Sequence, residues 1–156
     1  MRILGLDPGL ATTGYAVLDV HGRTKKLLSC GVIRTPAKTE LASRLLEIYS
    51  DFRSLLDQFK PDRCSIEQIF FSKNVTTGIQ VSHARGVILL ALAERGIPIT
   101  EFSPSAMKSA LTGDGKADKK NIQKMVMLEL GLSSPPQPDD AADAVSLALS
   151  LASTVR

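Results

Sequence analysis

The residues Arg2 to Asp7 (Arg-Ile-Leu-Gly-Leu-Asp) form an apolar run with no side-to-side alternation, ended by Pro8-Gly9. A strand that is apolar in both directions must be covered on both faces, so the chain has to supply layers on either side of a sheet. Gly14–Val20 and Lys26–Arg34 read as two further strands, separated by the turn signal His21-Gly22. Leu41, Leu45, Ile48, Phe52, Leu55, Leu56 and Phe59 then recur every three to four positions, predicting an amphipathic helix over Glu40–Phe59 that stops at Pro61. Strands follow at Arg63–Glu67 and Ile97–Phe102, around a second long helix at Val75–Arg95. Helices are expected at Pro104–Leu111, at Asp118–Leu130 and from about Pro138 to Ser153. Three hairpin-linked strands followed by strand–helix alternation define an α/β chain: a mixed five-stranded sheet flanked by helices.

The 156 residues suffice for one domain with a real core, and the chain is read as a single domain over 1–156. With 44% hydrophobic and 22% charged residues, a disordered tail, a collagen-like repeat and a disulfide-dense miniature are excluded. Cys30 and Cys64 each stand alone in apolar runs without metal-ligand spacing, so both are expected as buried, reduced thiols. The longest uninterrupted apolar run, Gly86 to Ala93, is well short of the roughly 20 residues of a membrane span. Asp7 interrupts the only apolar stretch at the start, where a leader would lie. The expectation is a soluble, cytoplasmic protein with no membrane partner. Its formal charge of +3 permits a polyanionic partner without requiring one.

Four carboxylates stand out by position. Asp7 ends the first strand, Glu67 ends the fourth, and Asp140 and Asp143 lie three apart at the start of the last helix. Sites in α/β sheets gather at the carboxyl ends of strands, and residues three apart share a helix face. Like charges brought together raise one another's pKa and disfavour the fold unless a cation sits among them. Oxygen donors with open water positions suit magnesium or manganese and not zinc. Two such ions roughly 4 Å apart can activate a water and stabilise the leaving oxygen of a phosphodiester. Plainer roles exist for each group: Asp7 as a turn former before Pro-Gly, Asp139 as an N-cap, and the acidic first turn as a partner of the helix dipole. Glu67 closing Cys-Ser-Ile is harder to explain that way.

Gly5-Leu6-Asp7-Pro8-Gly9 with Thr13-Gly14-Tyr15, Ile66-Glu67-Gln68 with Phe70 and Lys73-Asn74, Ala84-Arg85-Gly86, and Asp140-Ala141-Ala142-Asp143-Ala144 together resemble the RuvC-type Holliday-junction resolvases. The likeness runs in order over nearly the whole chain. It implies a ribonuclease-H-like fold, a homodimer, and cleavage of two opposed strands of a four-way DNA junction by paired nicks. It also implies that Asp7, Glu67, Asp140 and Asp143 hold Mg2+ or Mn2+, two ions per subunit, with Asp139 a neighbour and not a ligand. A branch-migration complex of the RuvA and RuvB type is the partner it suggests.

Basic residues surround these carboxylates in sequence. Lys108 falls on the helix after the fifth strand, and Lys116, Lys119, Lys120 and Lys124 decorate the loop and helix beyond it. A solvated helix face accounts for any one of them alone. The resemblance marks Lys108 and Lys119 as the functional pair, binding the DNA backbone and stabilising charge at the scissile phosphate. Lys116, Lys120, Lys73 and Arg85 are further candidates for backbone contact. Phe70, beside Phe71, is expected at the junction centre, where it can stack on an unpaired base.

Gly78, Ser82 and Gly86 form a small-residue stripe at four-residue spacing, fit either for packing on the chain's own sheet or for a two-fold dimer contact. His21 and His83 carry no expected catalytic role. Two rivals share parts of the pattern. One is a ribonuclease-H-like nuclease acting on RNA, resembling the YqgF family. The other is an actin-like ATPase, whose phosphate loop also opens Asp-x-Gly but which needs a second domain to close over nucleotide.

Overall fold

The computed structural model describes residues 1–69 and 75–155. Among them lie five strands, β1 (Arg2–Asp7), β2 (Thr12–His21), β3 (Thr24–Arg34), β4 (Arg63–Glu67) and β5 (Ile99–Phe102). Five helices accompany them: α1 (Leu41–Phe59), α2 (Val75–Glu94), α3 (Pro104–Thr112), α4 (Lys119–Leu130) and α5 (Asp139–Thr154). The sheet order is β3-β2-β1-β4-β5. The first three strands form an antiparallel meander, and β1, β4 and β5 run parallel. The expected mixed five-stranded sheet flanked by helices is the one observed.

β1 sits at the centre, and its four middle residues are buried. Its side chains alternate between two cores. Leu4 and Leu6 face α1 and α2, joining Ile48, Phe52, Leu56, Ile88 and Leu92. Ile3 faces α5 with Leu18, Leu147 and Leu149. Period-two alternation therefore sends Gly5 and Asp7 to the α5 side. The same rule applies on β4, where Cys64 and Ile66 join the α1–α2 core and Glu67 faces the other way. Parallel pairing sets Leu6 opposite Ile66, so Asp7 and Glu67 emerge side by side at the carboxyl edge of neighbouring strands.

Local chemistry fixes the helices that face them. Ser103 caps α3, its side chain accepting from the Ala106 amide at 3.2 Å, with Pro104 in the first turn. Asp118 caps α4 in the same way, accepting from the Asn121 amide at 2.8 Å. α5 begins at Asp139 with Pro138 as its N-cap residue, so Asp139 is inside the helix and not its cap.

Strand ends differ modestly from expectation. β2 runs one residue and β3 two residues further into the hairpin because their ladder continues to His21 and Thr24, and β2 also starts two residues earlier, at Thr12. β5 starts at Ile99 and not Ile97, since Gly96 turns the chain at φ 63° and Pro98 follows. Cys64 is buried as expected, while Cys30, on the outer strand β3, is only half-buried; both are free thiols.

α2 is apolar over a greater length than its uninterrupted run from Gly86 to Ala93. Among the described residues it is the one helix long and apolar enough to cross a membrane, with a mean hydropathy of 1.2. It nonetheless packs on the sheet through Ala84, Ile88, Ala91 and Leu92, with charged Arg85 on the same buried face. Its outer face stays apolar: Ile79 is 49% and Leu90 56% exposed.

Candidate active site

Two glycines let α5 reach the strand ends. A Cβ on Gly5 would stand 2.0 Å from the Ala144 carbonyl oxygen and 2.9 Å from the Ala148 Cβ. A Cβ on Gly14 would stand 2.0 Å from the Asp140 carbonyl oxygen. Gly14 pairs with Asp7 across β1 and β2, so the first turn of α5 lies directly over the end of β1. Only glycine permits this backbone approach. The Asp-x-Gly-x-x-x-x-Gly spacing thus serves helix–sheet contact at its second glycine.

The loop after Asp7 is held by its own hydroxyls. Buried Thr13 donates to the Gly9 carbonyl at 2.8 Å, and its Oγ1 accepts from the Gly9 amide at 3.3 Å. Thr35 donates to the Leu10 carbonyl at 2.6 Å and accepts from the Arg44 Nε at 2.9 Å. Asp7 therefore leaves the sheet into a fixed turn.

Electrostatics register the convergence of carboxylates. The Asp7 pKa is pushed up to about 7, first by burial and then by the charges of Glu67, Asp143 and Asp140. Glu67 is raised by burial and by Asp143. Asp143 is raised by desolvation; Lys119 opposes the shift, while Asp139 and Asp140 add to it. Among the described residues, however, no three carboxylate, histidine or cysteine side chains converge tightly enough to enclose an ion. The four carboxylates meet at electrostatic range and not at ligating range. A cluster that lifts its own pKa values and offers only hard oxygen donors fits a divalent cation, whose charge would remove the repulsion.

Beside this edge, α3, α4 and α5 enclose a recess of about 270 Å³. Glu67, Asp143, Lys108 and Lys119 share its lining with apolar Met107, Ile122, Val126 and Leu147. Lys119 donates to Asp139 Oδ2 at 2.8 Å, and this bond raises its pKa. Lys116, Lys120 and Lys124 are exposed on the loop and helix surface, outside the recess. Phe70 and Lys73 lie outside the described residues.

Arg85 departs from expectation. Its guanidinium is buried and not offered to a phosphate, donating to the Glu67 carbonyl at 2.5 Å and bridging to Glu101 Oε1 at 2.9 Å. The bridge to Glu101 and the Asp139–Lys119 bond both escaped sequence reasoning, because each joins residues 16 or more apart with no periodic signal. Gln123, an uncharged polar residue of α4 that lines the recess with Lys119, was missed too; its helical position was legible, its direction was not.

A ribonuclease-H-like sheet carrying carboxylates at the ends of adjacent parallel strands, closed by an acidic helix start, defines a nuclease of the divalent-metal class. Comparison with known proteins narrows this. The family described as "Crossover junction endodeoxyribonuclease RuvC" matches residues 3–151, and the chain belongs to that family. The crossover junction endodeoxyribonuclease RuvC of Gloeobacter violaceus is 52% identical over 96% of this chain and 86% of its own length. That of Chloroflexus aggregans is 47% identical over 96% of this chain and 91% of its own. The structure of Thermus thermophilus RuvC superposes with a TM-score of 0.92 at 32% identity, covering 98% of this chain and 94% of that one. The same protein in complex with a Holliday junction substrate gives a TM-score of 0.91 over 96% and 92% of the two chains.

Proposed function

We propose that Asp7, Glu67, Asp140 and Asp143 form the divalent-metal site with which this chain, a Holliday-junction resolvase, cleaves four-way DNA junctions. The observation that carries the reading is the placement of Asp7 and Glu67 at the carboxyl ends of adjacent parallel strands, beneath the first turn of α5 that bears Asp140 and Asp143. Family membership supports a DNA junction as substrate: the T. thermophilus relative is described in complex with one. The RNA-cleaving alternative has no such support.

Mg2+ or Mn2+, two ions per subunit, suits four oxygen donors with open positions. Such ions would supply a water nucleophile and charge stabilisation at the scissile phosphate. The side chains of the chain do the rest. Asp7 and Glu67, fixed on adjacent strands, and Asp140 and Asp143, one helical turn apart, would present their oxygens to the ions. Lys108 and Lys119, at the rim of the recess, would hold the DNA backbone and stabilise negative charge as it develops. Lys116 and Lys120 would add backbone contacts from the flank, Lys73 would do likewise, and Phe70 would stack at the junction centre.

Two subunits are proposed to act together, with residues 1–156 of each forming one nuclease domain. Ile79, His83, Gly86, Leu90 and Ala93 recur at alternating four- and three-residue steps along the exposed face of α2. That spacing makes one continuous seam suited to a second copy of the same helix. The small-residue stripe is thereby revised. Gly86 lies on the seam with nothing near its Cβ position, whereas Ser82 is half-buried and bonds back to the Gly78 carbonyl. A two-fold pair would present two equivalent sites to strands related by the same symmetry. A branch-migration complex of the RuvA and RuvB type and a cytoplasmic setting complete the proposal on family grounds.

The test is direct. Purified protein with magnesium or manganese should nick a synthetic four-way junction symmetrically and spare linear duplex. Asp7→Asn should abolish cleavage while junction binding survives. Cleavage of RNA instead, or of no nucleic acid with any divalent ion, would overturn the reading.

A further inference from the structure

The glutamate at the end of β4 is held from behind by a residue that does not face the recess. Arg85 projects from the buried side of α2, in the core layer opposite α5. One arm of its guanidinium donates to the main-chain carbonyl of Glu67 at 2.5 Å. The other pairs with Glu101 Oε1 on β5 at 2.9 Å. The β1–β4 ladder ends at Ile66, one residue earlier, while the Gln68 amide donates to the Phe102 carbonyl at 2.8 Å. Glu67 thus still pairs with Phe102 on β5 but lies beyond the β1 ladder, and Arg85 supplies a fastening on its carbonyl.

We propose that Arg85 is a positioning residue of the nuclease: its two-armed contact with the Glu67 backbone and Glu101 fixes the direction of the Glu67 carboxylate toward the metal site. This rests on the carboxylate reading given above.

Geometry argues for positioning and against simple charge balance. The guanidinium meets Glu67 at its main-chain carbonyl, and its ion pair is with Glu101. A cation with a side chain only 9% exposed is costly unless each arm is satisfied, and here both arms are. Lysine could not replace it, because a single ammonium lacks the planar fork that spans a carbonyl and a carboxylate together. Arg85 also precedes Gly86 of the proposed dimer seam. The helix that would receive the second subunit is therefore fastened to the strand that carries a metal ligand.

The experiment compares wild type, Arg85→Lys, Arg85→Met and Glu101→Gln as full-length chains. Manganese binding is measured without DNA, by the loss of free-ion paramagnetic resonance signal. Junction affinity is measured in calcium, and single-turnover cleavage over a range of manganese concentrations. Thermal unfolding is followed for each chain. Arg85→Lys and Arg85→Met should weaken manganese binding and raise the metal concentration for half-maximal cleavage at least tenfold, with junction affinity within about twofold. Glu101→Gln, which keeps an acceptor for the second arm and leaves the Glu67 contact in place, should give a smaller shift in the same direction. A purely structural role would lower the unfolding temperature without moving the metal midpoint of the folded fraction, and that result would overturn the proposal. If both Arg85 variants fail to fold, Glu101→Gln decides alone, an unchanged midpoint refuting the assignment. Failure of the underlying reading is distinguishable, because wild type itself would then neither bind manganese nor cleave the junction.

Discussion

Gly14 and Asp140 are in backbone contact across the sheet–helix interface, where a single added Cβ on Gly14 would come within 2.0 Å of the Asp140 carbonyl oxygen. Gly14 is also the β2 partner of Asp7. One missing side chain therefore sets the distance between two proposed metal ligands that are 133 residues apart in sequence.

Gly14→Ala should consequently do more than destabilise. The clash is with backbone and cannot be relieved by rotating a side chain, so α5 must shift away from β1. Overpacking of this kind costs about 1–3 kcal/mol. Urea unfolding should show that loss, and cleavage should fall at least a hundredfold under conditions where the variant is fully folded. A folded Gly14→Ala protein with wild-type cleavage would show that α5 need not approach so closely.

The shared charge of the cluster predicts an unusual pH dependence for the metal-free protein. Asp7 has a folded pKa of about 7 against an ordinary 3.8, so the folded state holds this proton more tightly than the unfolded state. The stability contributed is complete below about pH 4 and is lost as pH rises through 7. Glu67 and Asp143 are raised as well and act with the same sign. Asp7→Asn removes the Asp7 part, so its stability advantage over wild type should grow between pH 4 and 7, up to about 4 kcal/mol, then level off. Denaturant melts in chelator at several pH values measure this, and a pH-independent difference would refute it. Added magnesium at pH 7.5 should raise the melting temperature of wild type and leave Asp7→Asn nearly unchanged.

Lys119 and Asp139 form an exposed pair whose two side chains are 62% and 66% accessible. Pairs of that kind contribute little to stability. Asp139→Asn should leave the unfolding temperature within about a degree of wild type and cleavage within about threefold. Lys119→Ala should reduce cleavage at least tenfold and lower the slope of log junction affinity against log salt by about one. Equal cleavage defects in the two variants would make Asp139 a participant and not a neighbour.

The seam on α2 makes a prediction about strand pairing of cuts. Leu90 is 56% exposed on that seam. Leu90→Glu would set a charge from each subunit into the proposed seam, so sedimentation should show monomers at concentrations where wild type is dimeric. Junctions should then be nicked on one strand at a time, and the yield of resolved duplexes should fall at least tenfold. Paired nicking by a monomeric variant would remove α2 from the interface.

Charge takes on a different meaning once the site is assembled. Nineteen basic residues against sixteen acidic ones give +3. With the four site carboxylates neutralised by bound cations, twelve acidic residues remain and the balance becomes +7 per subunit. A charge that merely tolerated a polyanion becomes one that attracts it, and binding should weaken steeply with salt.

The sequence by itself determined the order and type of the elements, because apolar periodicity, Pro8-Gly9, Pro61, Ser103-Pro104 and Asp118 are local signals that act within a few residues. It also marked Asp7 and Glu67, since a carboxylate closing an apolar strand is conspicuous on its own. The tertiary structure alone decided what these residues meet. Gly14 reads in sequence as the first residue of a strand and proves to be the seat of α5. Arg85 reads as a surface cation in Ala-Arg-Gly and proves to be a buried fastening on Glu67. Asp139 reads as a cap and instead holds Lys119. In each case the partner is distant in sequence, and the contact depends on which face of an element is covered. Periodicity can say that a helix or strand has two faces; only packing decides which neighbour each of them finds.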